Sequence, residues 1–422
     1  MPRGDMYLHI FLSSLCIYLR FICIKFTIQY ADTFESRYLS ESSYTNCPSG
    51  THRKPTRITS PPHTASPPRT PKGAHMRTFD YSFLDHAMLP ASLMRFERSI
   101  LELKALDTQR KHTQPGIFSG LEQVAKVQSV KNSNEIEGII TSDERLLEIV
   151  AQNSAPLNHD EMEIAGYRDA LDAIYQNPDQ FDVRAADLLR LHETMLRYTP
   201  EGGGHYKTTD NVIVEIDSAG KRSIRFEPTS VKDTPEAMEQ LELAYRVAWS
   251  NPATDRLLLI PCVILDFLCI HPFSDGNGRM SRLLTLLLMM KTGFDIGKYI
   301  SFEEQINRMK ALYYEALRQS SAGWHTNENS YIPFIENFLQ TLLMCYKELD
   351  KRFAVMHDKK VTKANRIEAT VLNSLLPISK KEIAFILPDI SPTTIEAVLG
   401  VMVREGRIKK IGAARSTRYI GA

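Results

Sequence analysis

The chain of 422 residues predicts a mainly α fold with one β-hairpin and a small C-terminal α+β unit. Three observations carry that prediction. Two Leu-rich apolar runs, 257–270 and 283–290, flank a short polar loop and are too long for ordinary buried strands, so they read as two buried helices. Elsewhere apolar residues recur at helical spacing with charges opposite, as from Leu93 to Leu106. Only four short stretches have β character: 211–216, 223–226, 407–412 and 416–420.

Taken in order, residues 1–75 stand apart. Met6 to Leu19 is apolar and uncharged but shorter than the roughly 20 residues a membrane span needs. A Ser/Thr/Pro-rich stretch follows from Thr56 to Pro71 and reads as disordered. The segment is expected to be an over-long start or an unfolded extension; an export or anchor segment is the alternative. Residues 76–190 read as helices, including Leu93–Leu106, Gln123–Val130, His159–Tyr175 and Val183–Tyr198. Ser133-Asn134-Glu135-Ile136-Glu137-Gly138 reads as a helix end with Gly as the stop, and Thr141 to Glu144 caps the next helix. Residues 211–216 and 223–226 form a hairpin turning at Asp217 to Gly220. Helices then follow over Thr234–Asn251, the two apolar runs, Phe302–Arg318 and Tyr331–Phe353. Residues 359–422 add three helices (365–375, 379–387 and 391–405) and two short strands, which resembles a winged helix.

Composition excludes little. The net charge is +1, with 24% charged and 43% hydrophobic residues, an ordinary soluble profile that points to neither nucleic acid nor membrane. The six Cys show no metal spacing and no disulfide framework, which fits a reducing, cytoplasmic compartment. Residues 359–422 differ: twelve Lys/Arg against five Asp/Glu give a net +7, which allows DNA binding. The third helix there is mostly apolar, so protein docking or dimerisation stands equally open.

The chemistry concentrates in the polar loop and its flanks, Ile270 to Arg282. Gly276 and Gly278 let the backbone approach an anion. A helix starting near Gly276 aims free N–H groups and its positive dipole end at the same place. Arg279 and Arg282 lie one turn apart and can fork onto phosphate oxygens. Asp275 offers a hard oxygen to Mg²⁺. His271 can serve as a base near neutral pH. A zinc pair of His271 and Asp275 lacks a third ligand.

His271-Pro272-Phe273-Ser274-Asp275-Gly276-Asn277-Gly278-Arg279-Met280-Ser281-Arg282 resembles the Fic family signature and matches it at every specified position. The resemblance spans about residues 78–350 and implies a Fic helical core over 191–353. It implies a nucleotidyltransferase that moves AMP from ATP to a Tyr, Ser or Thr hydroxyl of a target protein. On that reading His271 takes the hydroxyl proton and Asp275 holds Mg²⁺. Gly276, Asn277 and Gly278 cradle the phosphates, with Arg279 on them and Arg282 at the γ end. One of Tyr313 and Tyr314 lines the adenine pocket, and the hairpin is a flap that aligns the target by strand addition. Ser133, Glu137 and Gly138 match the family's inhibitory motif, with Glu137 paired to Arg282. Two alternatives follow: a de-AMPylating member, or a nucleotide-sensing DNA-binding regulator. A homodimer is compatible with all of them.

Overall fold

The computed structural model describes residues 77–422 apart from 87, 217–221, 358–361, 373, 375–376, 388, 413–416 and 422. The expectations for residues 1–75 and for the turn at 217–220 lie outside the described residues.

Helix α1 (Phe83–His86) leads into α2 (Ala91–Thr113) and α3 (Pro115–Ile136). Pro115 occupies the first position of α3, where its missing N–H costs nothing. Both helices run well past the periodic cores read in the sequence. Next come α4 (Asp143–Gln152), α5 (His159–Gln176) and α6 (Ala185–Leu196). Ser142 caps α4 by accepting from the Arg145 N–H, and Asn158 caps α5 by accepting from the Glu161 N–H. Strands β1 (Ile213–Ile216) and β2 (Arg222–Phe226) pair antiparallel, with Val214 opposite Ile224, and among the described residues no third strand joins them.

After α7 (Thr234–Ser250) come the two central helices, α8 (Arg256–Ile270) and α9 (Asn277–Lys291). Asp255 caps α8 through bonds from the Leu257 and Leu258 N–H groups, at 2.7 and 3.3 Å. All but two residues of α8 are buried, which explains why its sequence is apolar all round rather than striped. The single helix expected over 302–318 is two: α10 (Phe302–Arg308) and α11 (Lys310–Ser321). Met309 between them leaves helical geometry, at φ −115° and ψ 31°, without a Gly or Pro to announce the break. The long α12 (Ile332–His357) packs along α2.

The C-terminal segment is α13 (Lys363–Leu372), β3 (Ile378–Ser379), α14 (Lys380–Ile386), α15 (Pro392–Arg404), β4 (Ile408–Ile411) and β5 (Arg418–Gly421). Its sheet has the order β3-β5-β4, all antiparallel. The two-residue β3 is too short to show in the sequence. Ser379 and Glu382 form a reciprocal capping box on α14, and α14 packs on α3 near Gly120.

One buried polar cluster ties α8 to both ends of the helical body. Asp266 is fully buried. It accepts from Tyr81 and Tyr331 hydroxyls at 2.8 Å each and from Trp324 Nε1 at 2.7 Å, and Arg77 lies 3.1 Å away. The Arg77 guanidinium also stacks 4.5 Å from the Trp324 ring. Removing one partner of a buried ion pair strands the other charge. Asp266→Ala therefore lowers the unfolding free energy by about 3–5 kcal/mol. The urea midpoint of the variant measures it, and an unchanged midpoint rules the cluster out as a stabilising element.

Candidate functional site

The turn between α8 and α9 opens onto a cavity of about 610 Å³. That is within the usual size of a small-molecule site. The turn residues 274–278 and His271 form one wall. Val212, Val214, Arg225 and Phe226 of the hairpin region form another, and Tyr313, Tyr314 and Leu317 of α11 a third. Glu137 and Arg282 close one end.

His271 caps α8 in the left-handed region, at φ 52°. A non-Gly residue held there marks a constrained position. Its Nδ1 lies 3.2 Å from the Leu268 carbonyl. A carbonyl only accepts, so Nδ1 carries the proton and Nε2 keeps a free lone pair. Burial pushes the ring down to about 4, assisted by the Lys207 charge and opposed by Glu137 and Asp275. The neutral, proton-accepting form is thus the resting one at neutral pH.

Gly276 is the N-cap of α9 at φ 78°, a conformation open to Gly, and a Cβ there would lie 2.5 Å from Met195 Cε. A Cβ on Gly278 would lie 2.2 Å from Glu137 Oε1, so the carboxylate sits directly over this glycine. The Asn277 side chain is bound to the backbone of its own turn. Its Oδ1 accepts from the Phe273 N–H at 2.9 Å and its Nδ2 donates to the Phe273 carbonyl at 2.8 Å, so it braces the turn. What Asn277 offers a ligand is its backbone N–H.

Arg279 departs further from expectation. It is buried, and its Nη1 and Nη2 lie 2.5 Å from Glu163 Oε2 and 2.9 Å from Asp275 Oδ2. It lies outside the cavity lining. One turn of helix was enough to send the two arginines to different partners. Arg282, equally buried, does reach the cavity. Its Nε donates to Ser133 Oγ at 2.8 Å, and its Nη2 donates to the Ser133 carbonyl at 2.9 Å and to Glu137 Oε1 at 2.7 Å. Glu137 is the C-cap of α3, and Gly138 follows at φ 84°. The helix end and the carboxylate contact are thus one structure: Gly138 stops α3 where Glu137 can reach Arg282.

Asp275 keeps its side chain 71% exposed. Among the described residues no group of three His, Cys, Asp or Glu side chains is placed to hold a metal ion. A cation held by Asp275 would draw its other ligands from outside the described His, Cys, Asp and Glu side chains. Tyr313 is buried against Phe334, with ring centroids 5.8 Å apart, while Tyr314 is only partly buried.

The sequence reading missed the side chains that hold the turn from behind. His192 stacks on Phe273, with centroids 3.8 Å apart. Its Nδ1 accepts from the Gly204 N–H at 3.1 Å, so Nε2 carries the proton toward the Asp275 carbonyl, also at 3.1 Å. Burial pushes this ring down to about 4 as well. Lys207 and Asn211 reach the same turn from the segment before β1. No motif flags them; only the broken pattern at Gly202-Gly203-Gly204-His205-Tyr206-Lys207 marks the region.

The Fic/DOC family model matches residues 182–289, which includes the hairpin and the whole turn. A Fido domain-containing protein of Dictyostelium discoideum is 32% identical over 139 residues, covering 32% of this chain and 94% of that protein. The chain belongs to the Fic/DOC family. A protein named protein adenylyltransferase Fic from Nematostella vectensis is 25% identical over 248 residues, or 56% of this chain. The chain spans 52% of that relative's length. A crystal structure of a Fic family protein from Desulfovibrio desulfuricans G20 shares the fold at TM-score 0.51 and 19% identity, covering 79% of this chain and 97% of that one. No described helix is long and apolar enough to cross a membrane.

Proposed function

We propose that this Fic chain transfers AMP from ATP to a hydroxyl side chain of a target protein, and that Glu137 holds the site closed at rest. The observation that carries this is the state of Arg282. A buried guanidinium on the cavity wall is occupied by Ser133 and Glu137 in the place a terminal phosphate would take, beside a histidine with a free Nε2. The relatives named protein adenylyltransferase support the same reaction class.

His271 Nε2 accepts the proton of the target hydroxyl. The freed oxygen forms a bond to the α-phosphorus, the bond from that phosphorus to the bridging oxygen breaks, and pyrophosphate leaves with the electron pair. The N-terminal N–H groups of α9, beginning at Asn277 and Gly278, receive phosphate oxygens, and Arg282 receives the γ-phosphate once Glu137 yields. Asp275 would hold Mg²⁺, which when bound neutralises phosphate charge. Arg279 holds the Asp275 carboxylate from behind rather than touching phosphate. Tyr314, partly exposed beside Leu317, offers a face to adenine, while Tyr313 backs it. The hairpin, with no third strand among the described residues, has a free edge for an extended target segment. Catalysis here is positioning and charge stabilisation.

The test uses ATP labelled on the α-phosphate. Label reaches protein in Glu137→Gly and vanishes in Glu137→Gly/His271→Ala. Arg282→Ala in the Glu137→Gly background lowers transfer by about 10- to 100-fold, the worth of a charge-assisted bond. Transfer unaffected by Arg282→Ala sinks the phosphate assignment. No label in any variant, with ATP still bound, favours a sensing or AMP-removing role. The regulator reading rests on the basic charge of 359–422. The outward face of α15 carries Thr393, Glu396, Ala397, Gly400, Val401 and Arg404, a set with few side chains for reading base edges.

A further inference from the structure

Lys207 is 3% exposed, and burial lowers its ammonium to about 8 against the opposing pull of Asp210, which makes no direct ion pair with it among the described contacts. A buried cation without a contacting counter-charge is costly, and it persists where the surroundings require it. Its surroundings are the backbone around His271. The Lys207 Nζ donates to the Ile270 carbonyl at 3.3 Å and to Asn211 Oδ1 at 3.0 Å. The Lys207 backbone N–H donates to the Pro272 carbonyl at 2.8 Å. Asn211 Nδ2 donates to the Phe273 carbonyl at 3.3 Å. The carbonyls on both sides of His271 are thus held from one five-residue segment, and that segment runs two residues later into β1.

We propose that Lys207 and Asn211 form a strap that positions His271 and couples it to the root of the hairpin. The strap accounts for the left-handed backbone at His271, a conformation the local sequence does not favour. It also places a positive charge beside the ring, which keeps the imidazole neutral and ready to accept a proton. Because the strap continues into β1, a target strand docking on the hairpin acts on the base through two hydrogen-bonded side chains. Lys207 is a positioning residue; it acts through His271 and is not assigned a contact with substrate. The inference rests on the adenylyl-transfer reading for its kinetic consequence, and on the strap's hydrogen bonds and the Lys207 charge for its effect on the ring.

Two measurements on the full chain test it. In the Glu137→Gly background, Lys207→Met lowers kcat for label transfer by about 10- to 100-fold, with the KM for ATP within about twofold. Lys207→Arg, which keeps charge and donors, restores most of the loss. In nucleotide-free protein, an NMR titration of the His271 imidazole moves upward from about 4 in Lys207→Met and stays in place in Lys207→Arg. Glu137 from the end of α3 and Asp275 from the turn face the same ring and pull its titration upward, so both are kept constant across the series. Asn211→Ala leaves the ammonium and removes the hold on Phe273, so it covers the case in which Lys207→Met fails to fold; it too lowers kcat. Unchanged kcat and unchanged ring titration in Lys207→Met overturn the proposal, as does a rise in KM with kcat intact. If Glu137→Gly itself transfers no label, the transfer reading fails, while the ring titration still decides the strap.

Discussion

Replacing His271 by alanine in the Glu137→Gly background lowers α-phosphate label transfer by about two to four orders of magnitude. The range is that of a lost general base, and the geometry supports assigning the whole of it to this ring. Nδ1 is committed to the Leu268 carbonyl, which fixes the tautomer and leaves Nε2 as the one acceptor. The pH dependence follows with its sign. A histidine pushed down to about 4 is neutral above that value and loses its basicity only as pH falls through it. Transfer therefore stays level from neutral pH down well past 6.5, where an ordinary histidine would already be half protonated. Glu137 pulls the ring upward, so the Glu137→Gly background shifts the acid limb lower still. A rate that halves near pH 6.5 contradicts the buried, strapped ring. ATP binding by the double variant is the control: intact binding with lost transfer separates chemistry from folding.

The sequence made the centre of the site legible because its signals are local. The apolar runs on either side of the turn are intrinsic to α8 and α9, and the residue types and spacing of His271, Asp275, Gly276 and Gly278 are what the proposed phosphate chemistry is read from. Arg279 and Arg282 show where that logic stops. Helical spacing puts two arginines on one face, but their partners come from α5 and the end of α3, far away in the chain. Burial against Glu163 turned one into an anchor. Lys207, Asn211 and His192 were illegible for the same reason, since nothing beside a lone Lys or His says which carbonyl it will hold. The break at Met309 has no turn residue to mark it. Glu137 is the instructive case. Local reasoning gave a helix end, the family resemblance gave a contact with Arg282, and both hold, because the helix end is what delivers the carboxylate.

Glu137→Gly raises label transfer by about 10- to 150-fold over the unmodified chain, and its stability changes run in opposite directions with and without ATP. The rise comes from one charge-assisted bond removed from a buried guanidinium, a contact worth about 1.5–3 kcal/mol. Removing a carboxylate that lies over Gly278 also ends its repulsion of a triphosphate. Without ATP, the same deletion leaves Arg282 held by Ser133 alone, at Nε and Nη2. The variant therefore unfolds at a lower temperature, by the cost of an under-satisfied buried cation. With ATP and Mg²⁺ the order of the thermal shifts reverses. The variant binds more tightly, and a ligand at free concentration L stabilises the folded state by RT ln(1 + L/Kd), which grows as Kd falls. Glu137→Gln separates the two causes. It keeps an acceptor on Arg282 but carries no charge, so its shift with ATP falls between those of the unmodified chain and Glu137→Gly. Equal thermal shifts for all three chains would mean that the carboxylate does not compete with nucleotide, and the closed-site reading of Arg282 would go with it.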